Sequence, residues 1–152
     1  MSTKPAPALQ NLAVLAKNLN EVSDLVTAEI TDFEKTLNDL RLGVPAWVNA
    51  GEEHIDDPQS PLTRIYVLGY ARHQGKWGLL SGDYVEEHDD YPDDQSIVFL
   101  KDAPREIRIK AIKAFPKLIA ELASEAQRVT EDLKNQLETA RTIKAGLKKP
   151  TQ

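Results

Sequence analysis

The chain has no cysteine, one methionine, two tryptophans and no long apolar run. Each shortage excludes something. Without cysteine there are no disulfide scaffolds, thiol nucleophiles or thiolate metal sites, a composition that fits a reducing cytosol. No stretch approaches the ~18 consecutive apolar residues of a membrane span. The opening MSTKPAPALQNLAVLAKNLNE is interrupted by Gln10, Asn11, Lys17 and Asn18, and it reads poorly as a signal peptide. The expected location is cytoplasmic, with no membrane partner.

Catalytic motifs are missing too. There is no HExxH, no GxSxG, no phosphate-cradling GxxxxGK[ST] and no dinucleotide-binding GxGxxG. His54, His73 and His88, and Ser60, Ser81 and Ser96, stand in no nucleophile–base context. The acidic stretch Asp83–Asp94 includes His88, but it carries Tyr91-Pro92 where a calcium loop needs its central glycine. A solvated loop is the simpler reading, and no metal ligand or cofactor is assigned. The expectation is a protein that is not an enzyme.

What is present describes one domain, residues 1–152, long enough to bury a core without staples. The net charge of −5 is unevenly spread. Residues 43–96 hold 3 basic and 11 acidic side chains, whereas residues 97–152 hold 12 and 7. Such a split serves either an acidic partner or internal complementarity.

Leu12, Leu19, Val26, Phe33 and Leu40 recur every seven residues, with Leu15, Val22, Ile30 and Leu37 between them. This spacing predicts an amphipathic helix over 8–41, with a stutter where Val22, Val26 and Ile30 fall four apart. Gly43 and then Pro45 are the expected stop. A second helix over 104–146 is opened by Asp102 and Pro104. Its apolar series runs Ile112, Phe115, Ile119, Leu122, Ala126, Val129, Leu133 and onward, through Pro116 as a kink rather than a break.

Residues 44–100 read as strands and acidic loops: VPAWV (44–48), a loop over 51–61, the hairpin RIYVLGYAR/KWGLL around Gln74-Gly75, and SIVFL (96–100). The fold class is α+β. Two long amphipathic helices, antiparallel and coiled-coil-like, flank a small antiparallel sheet of three to four strands. Stripes this long also favour a homodimer.

Alternation sorts the hairpin into two faces. One carries Arg64, Tyr66, Leu68, Tyr70, Arg72, Trp77 and Leu79; the other carries Ile65, Val67, Gly69, Ala71, Gly78 and Leu80. The second face, apolar and partly small, is expected to meet the helices. The first then looks outward, with Arg72 stacked on Trp77. Arg64, Tyr66, Tyr70, Arg72 and Trp77 would form a platform for single-stranded nucleic acid or a flat ligand. Core packing and a subunit interface are the other readings of the same residues.

On the second helix Lys110, Lys113 and Lys117 share one face and could contact phosphates. Arg108 falls instead within the apolar series, where it must snorkel or pair; the acidic middle segment is its expected partner, and a binding role is the alternative. Taken together, the sequence describes a macromolecular interaction or scaffold protein that self-associates through its helices and binds an unidentified protein partner. The alternative is a nucleic-acid or small-ligand module built on the hairpin.

Overall fold

Seven-residue spacing and period-two alternation resolve into helices and strands close to where they were expected. The computed structural model describes residues 6–55, 62–86 and 96–148. Its order is α1 (Pro7–Leu40), β1 (Ala46–Ile55), β2 (Leu62–His73), β3 (Lys76–Val85), β4 (Val98–Phe99) and α2 (Arg105–Lys148), with a 3-10 turn at Leu100–Asp102 before α2. The fold is α+β: a four-stranded antiparallel sheet in the order β1-β2-β3-β4, with one helix on the N-terminal side of it in sequence and one on the C-terminal side. Most of the acidic stretch Asp83–Asp94, with His88, lies outside the described residues, as does the second half of the 51–61 segment.

The hairpin forms in the expected register. Arg72 pairs with Trp77 and Tyr70 with Leu79. Gln74 (φ 52°) and Gly75 (φ 79°) both occupy the left-handed region, which suits a two-residue turn to the right-handed twist of its strands. β1 is longer than VPAWV. It continues through GEEHI because a bulge between Asn49 and Gly51 resets its pairing with β2. Gly51 takes φ 147° there, and its N–H is held by the Asn49 side-chain oxygen at 2.8 Å. β4 is shorter than SIVFL, since the chain leaves the sheet after Phe99 for the 3-10 turn. At the end of α1 the left-handed residue that follows the helix is Arg41 (φ 53°), two positions before the expected Gly43.

The face that meets the helices is not the one expected, although Ile65, Val67 and Leu80 of the other face are buried as well. Leu68, Tyr70 and Leu79 belong to the hydrophobic core with Ile30 and Leu37 of α1 and Ala111, Ala114 and Leu118 of α2. The Arg–Tyr–Trp face therefore meets the helices. Its tyrosine hydroxyls find partners, Tyr70 on Asn38 of α1 and Tyr66 on Glu53 of β1, so packing their rings leaves no hydroxyl stranded. A β-carbon at Gly69 would overlap the Trp47 ring, and one at Gly78 would fall 2.8 Å from Glu34 Oε2 of α1 and 2.9 Å from the Phe99 ring.

The helices also differ from the antiparallel pair expected. Asn20 meets Arg105, Thr27 meets Arg108, and Phe33 stacks on Phe115 with ring centroids 4.6 Å apart. Both sequences advance together through these contacts, so the helices run in the same sense where they touch. The cause is the short β4 and its 3-10 turn, which deliver the first turn of α2 beside the middle of α1. α2 runs unbroken through Pro116.

Candidate interaction surfaces

α1 closes the free edge of β3. β4 pairs only with Leu80 and Ser81, which leaves earlier backbone groups of β3 without a strand partner on that side. Glu34 and Asn38, one helical turn apart, supply them. The Leu79 N–H donates to Glu34 Oε2 at 2.9 Å, and the Asn38 amide donates to the Trp77 carbonyl at 3.3 Å. Lys101 Nζ stands 3.7 Å from the other Glu34 oxygen. Covering an edge in this way blocks edge-to-edge pairing with other chains.

Below this edge lies an open cleft of about 590 Å³ lined by Glu34, Asn38, Arg41, Tyr70, Lys76 and Trp77, with Leu42 and Gly43. Tyr70 is buried and donates its hydroxyl to Asn38 Oδ1 at 2.5 Å. Burial, and then the negative Glu34, push its phenol above the ordinary value. Trp77 is half-buried and stacks on Tyr70 with centroids 5.5 Å apart. Arg72, expected on that indole, is exposed instead. The volume suits a small molecule.

The five residues of the expected platform are thus divided. Tyr70 and Trp77 belong to the cleft. Tyr66 faces α2: its hydroxyl donates to Glu53 Oε2 at 2.5 Å, and Lys110 Nζ sits 4.4 Å from its ring centroid. The Glu53 carboxylate that accepts this hydrogen bond is the main cause of its raised pKa. Arg64 lies 3.6 Å from Asp83 across the strands. Lys110, Lys113 and Lys117 do share a face, and with Asn49, Ala50 and Gly51 they line a shallow groove of about 220 Å³ beside the β1 bulge.

Among the described residues Arg108 meets α1 rather than a carboxylate of the acidic middle segment. Its guanidinium donates to the hydroxyls of Thr27 and Ser23 on α1, beside Arg105, which bonds Ser23 and Asn20. Among the described residues no carboxylate lies within ion-pair distance of Arg108, and its buried Nε has no hydrogen-bond partner. Arg108 lies on the side of α2 that meets α1, where hydroxyls are the polar groups within reach.

The outer ends of the two helices carry exposed apolar side chains. Every residue from 6 to 22 and from 130 to 148 is exposed. Leu12, Leu15 and Leu19 on α1 are 59%, 54% and 51% exposed, and Leu133, Leu137 and Ile143 on α2 are 64%, 50% and 59% exposed. At 100° per residue Leu12 and Leu19 on α1, and Ile143 on α2, stay in phase with the buried faces of their own helices. Each helix therefore carries its core stripe out beyond the core as an arm.

Sequence reasoning missed Glu34, Asn38, Arg41, Lys76 and Arg105. Glu34 had a signal: it interrupts the buried series Ile30, Leu37 at helical spacing. The others look like ordinary surface residues in the sequence. Compared with known protein families, curated proteins and solved structures, the chain matches none. Among the described residues no helix is long and apolar enough to cross a membrane, and no group of His, Asp and Glu could hold a metal ion.

Proposed function

We propose that the protein acts by association rather than chemistry: it self-associates through the apolar arms of α1 and α2 and presents the sheet and its clefts to another macromolecule. The observation that carries this reading is the two arms themselves. Exposed aliphatic residues are common singly, but contiguous stripes of them mark interaction sites. A helix with nothing packed on it is also marginally stable over the ~12–15 residues of such an arm, and a partner removes that weakness. The coiled-coil character read from the sequence belongs here, between copies.

Sedimentation velocity over a wide range of protein concentration tests it. The wild type is expected to shift from monomer to oligomer as concentration rises. Leu12→Gln/Leu19→Gln, which changes only exposed positions, is expected to remain monomeric. A wild type that is monomeric throughout would end this reading.

A second reading, small-ligand or nucleic-acid binding, is favoured by one observation: the cleft brings the half-buried Trp77 together with Arg41 and Lys76. In a Trp47→Phe background Trp77 is the only indole. Titration with single-stranded RNA, DNA and mononucleotides at two salt concentrations then reports on it directly. A salt-sensitive change in Trp77 emission favours this reading, and no change at either salt removes it.

A further inference from the structure

We propose that the oligomer is a two-fold dimer in which the α1 arm of each copy packs antiparallel against the α2 arm of the other. The pairing rests on the self-association reading above and gives it a geometry.

Within one chain the two arms cannot cover each other. The contacts Asn20–Arg105, Thr27–Arg108 and Phe33–Phe115 run in the same sense. Residues 7–19 therefore project from one end of the helix pair, and residues 130–148 project from the other. A two-fold axis across the helices reverses the second copy. Each α1 arm then lies alongside an α2 arm of the other copy, in opposite directions, and all four arms are covered by one closed, self-complementary contact. Pairing α1 with α1 would cover only one end of each copy. The bare α2 arms would then need a separate contact, and the assembly would stay open.

Shape selects the same pairing. The α1 stripe is leucine-rich, while the α2 stripe sets Ala140 between Leu133 and Leu147, which lets large side chains enter beside small ones. The apolar side chains of the arms, each about half exposed, come to about 1,000 Å² in two copies by transfer-energy bookkeeping, the order of area a specific interface requires.

The absence of cysteine makes the test clean. Leu15→Cys and Leu133→Cys each introduce a single thiol at an exposed position, and circular dichroism checks that both variants keep the wild-type fold. Each variant alone, and the two refolded together, are treated with a flexible bis-maleimide and resolved by mass. The expected result is a covalent dimer in the mixture and none in either variant alone. Cross-linking of Leu15→Cys alone or of Leu133→Cys alone would show like arms paired and overturn the proposal. A wild type that sediments as a dimer without cross-linking in the mixture would place the interface elsewhere and also overturn it. A wild type that sediments as a monomer would overturn the self-association reading itself, and this pairing with it.

Discussion

Glu34 shows how one residue can fasten a helix to a sheet edge. Its carboxylate is buried, accepts the Leu79 N–H and stands near Lys101. Glu34→Ala leaves that buried amide without an acceptor, a loss of about 1–3 kcal/mol. Glu34→Gln keeps an oxygen in place and is expected to lose less. Urea denaturation of both variants checks the order; equal losses would mean that the Lys101 pair, not the amide, is what matters. The tyrosines make a second prediction at this scale. Tyr70 and Tyr66 have folded-state pKa values raised above their ordinary 10.0, Tyr70 chiefly by burial and Tyr66 chiefly by its bond to Glu53. A raised pKa means that the folded state holds its phenol proton more tightly than the unfolded chain does. The stabilisation is fully present below the unfolded value and is lost as pH rises through the folded one. Stability is therefore expected to fall above about pH 10, and Tyr70→Phe to fall less steeply over the same range in denaturation titrations.

At the scale of elements, helix existence and hairpin register were legible because they rest on periodicity and turn chemistry within short windows. Leu12 to Leu40 and Phe115 to Leu133 mark out their helices, and Gln74-Gly75 fixes the pairing of Arg72 with Trp77. The extension of β1 was not legible, since GEEHI has a loop composition and becomes strand only by pairing with β2 past a bulge. Nor was the buried face of the hairpin. Gly69 looks like room for a helix, but the room is taken by Trp47 from the neighbouring strand, while Gly78 admits both Phe99 and the Glu34 side chain of α1. The candidate site was misread for the same reason, because Tyr70 and Trp77 look like a platform until Asn38 and α1 are placed over them. Arg108 makes the prediction at this scale. Among the described residues it is held by the hydroxyls of Ser23 and Thr27, and its Nε is unpaired there. In Arg108→Leu those hydroxyls keep other partners: Thr27 still donates to the Ser23 carbonyl, and Ser23 still accepts from Arg105. Stability is expected to stay within about 1 kcal/mol of wild type, since replacing a poorly satisfied buried charge by an apolar residue is often neutral or favourable. A loss of several kcal/mol in thermal or urea unfolding would show that the arginine holds α2 to α1.

The whole molecule separates a core from its arms, and the separation is measurable. The core residues of α1 begin at Ser23 and Ile30, and those of α2 end at Leu122, while the arms beyond are exposed at nearly every position. Association through the arms adds stability by mass action without touching the core, so Tm is expected to rise with protein concentration in the wild type. Leu12→Gln/Leu19→Gln removes two apolar anchors from one arm and leaves every core contact in place. Its Tm is expected to equal that of the dilute wild type and to stay flat as concentration rises. Two other patterns would be informative. If the variant melts below the dilute wild type, the arm contributes to the monomer and is not merely an interface. If the wild type itself shows no dependence on concentration, the exposed stripes serve a partner other than a second copy, and the cleft beside Trp77 and the groove beside Lys113 become the surfaces to probe next.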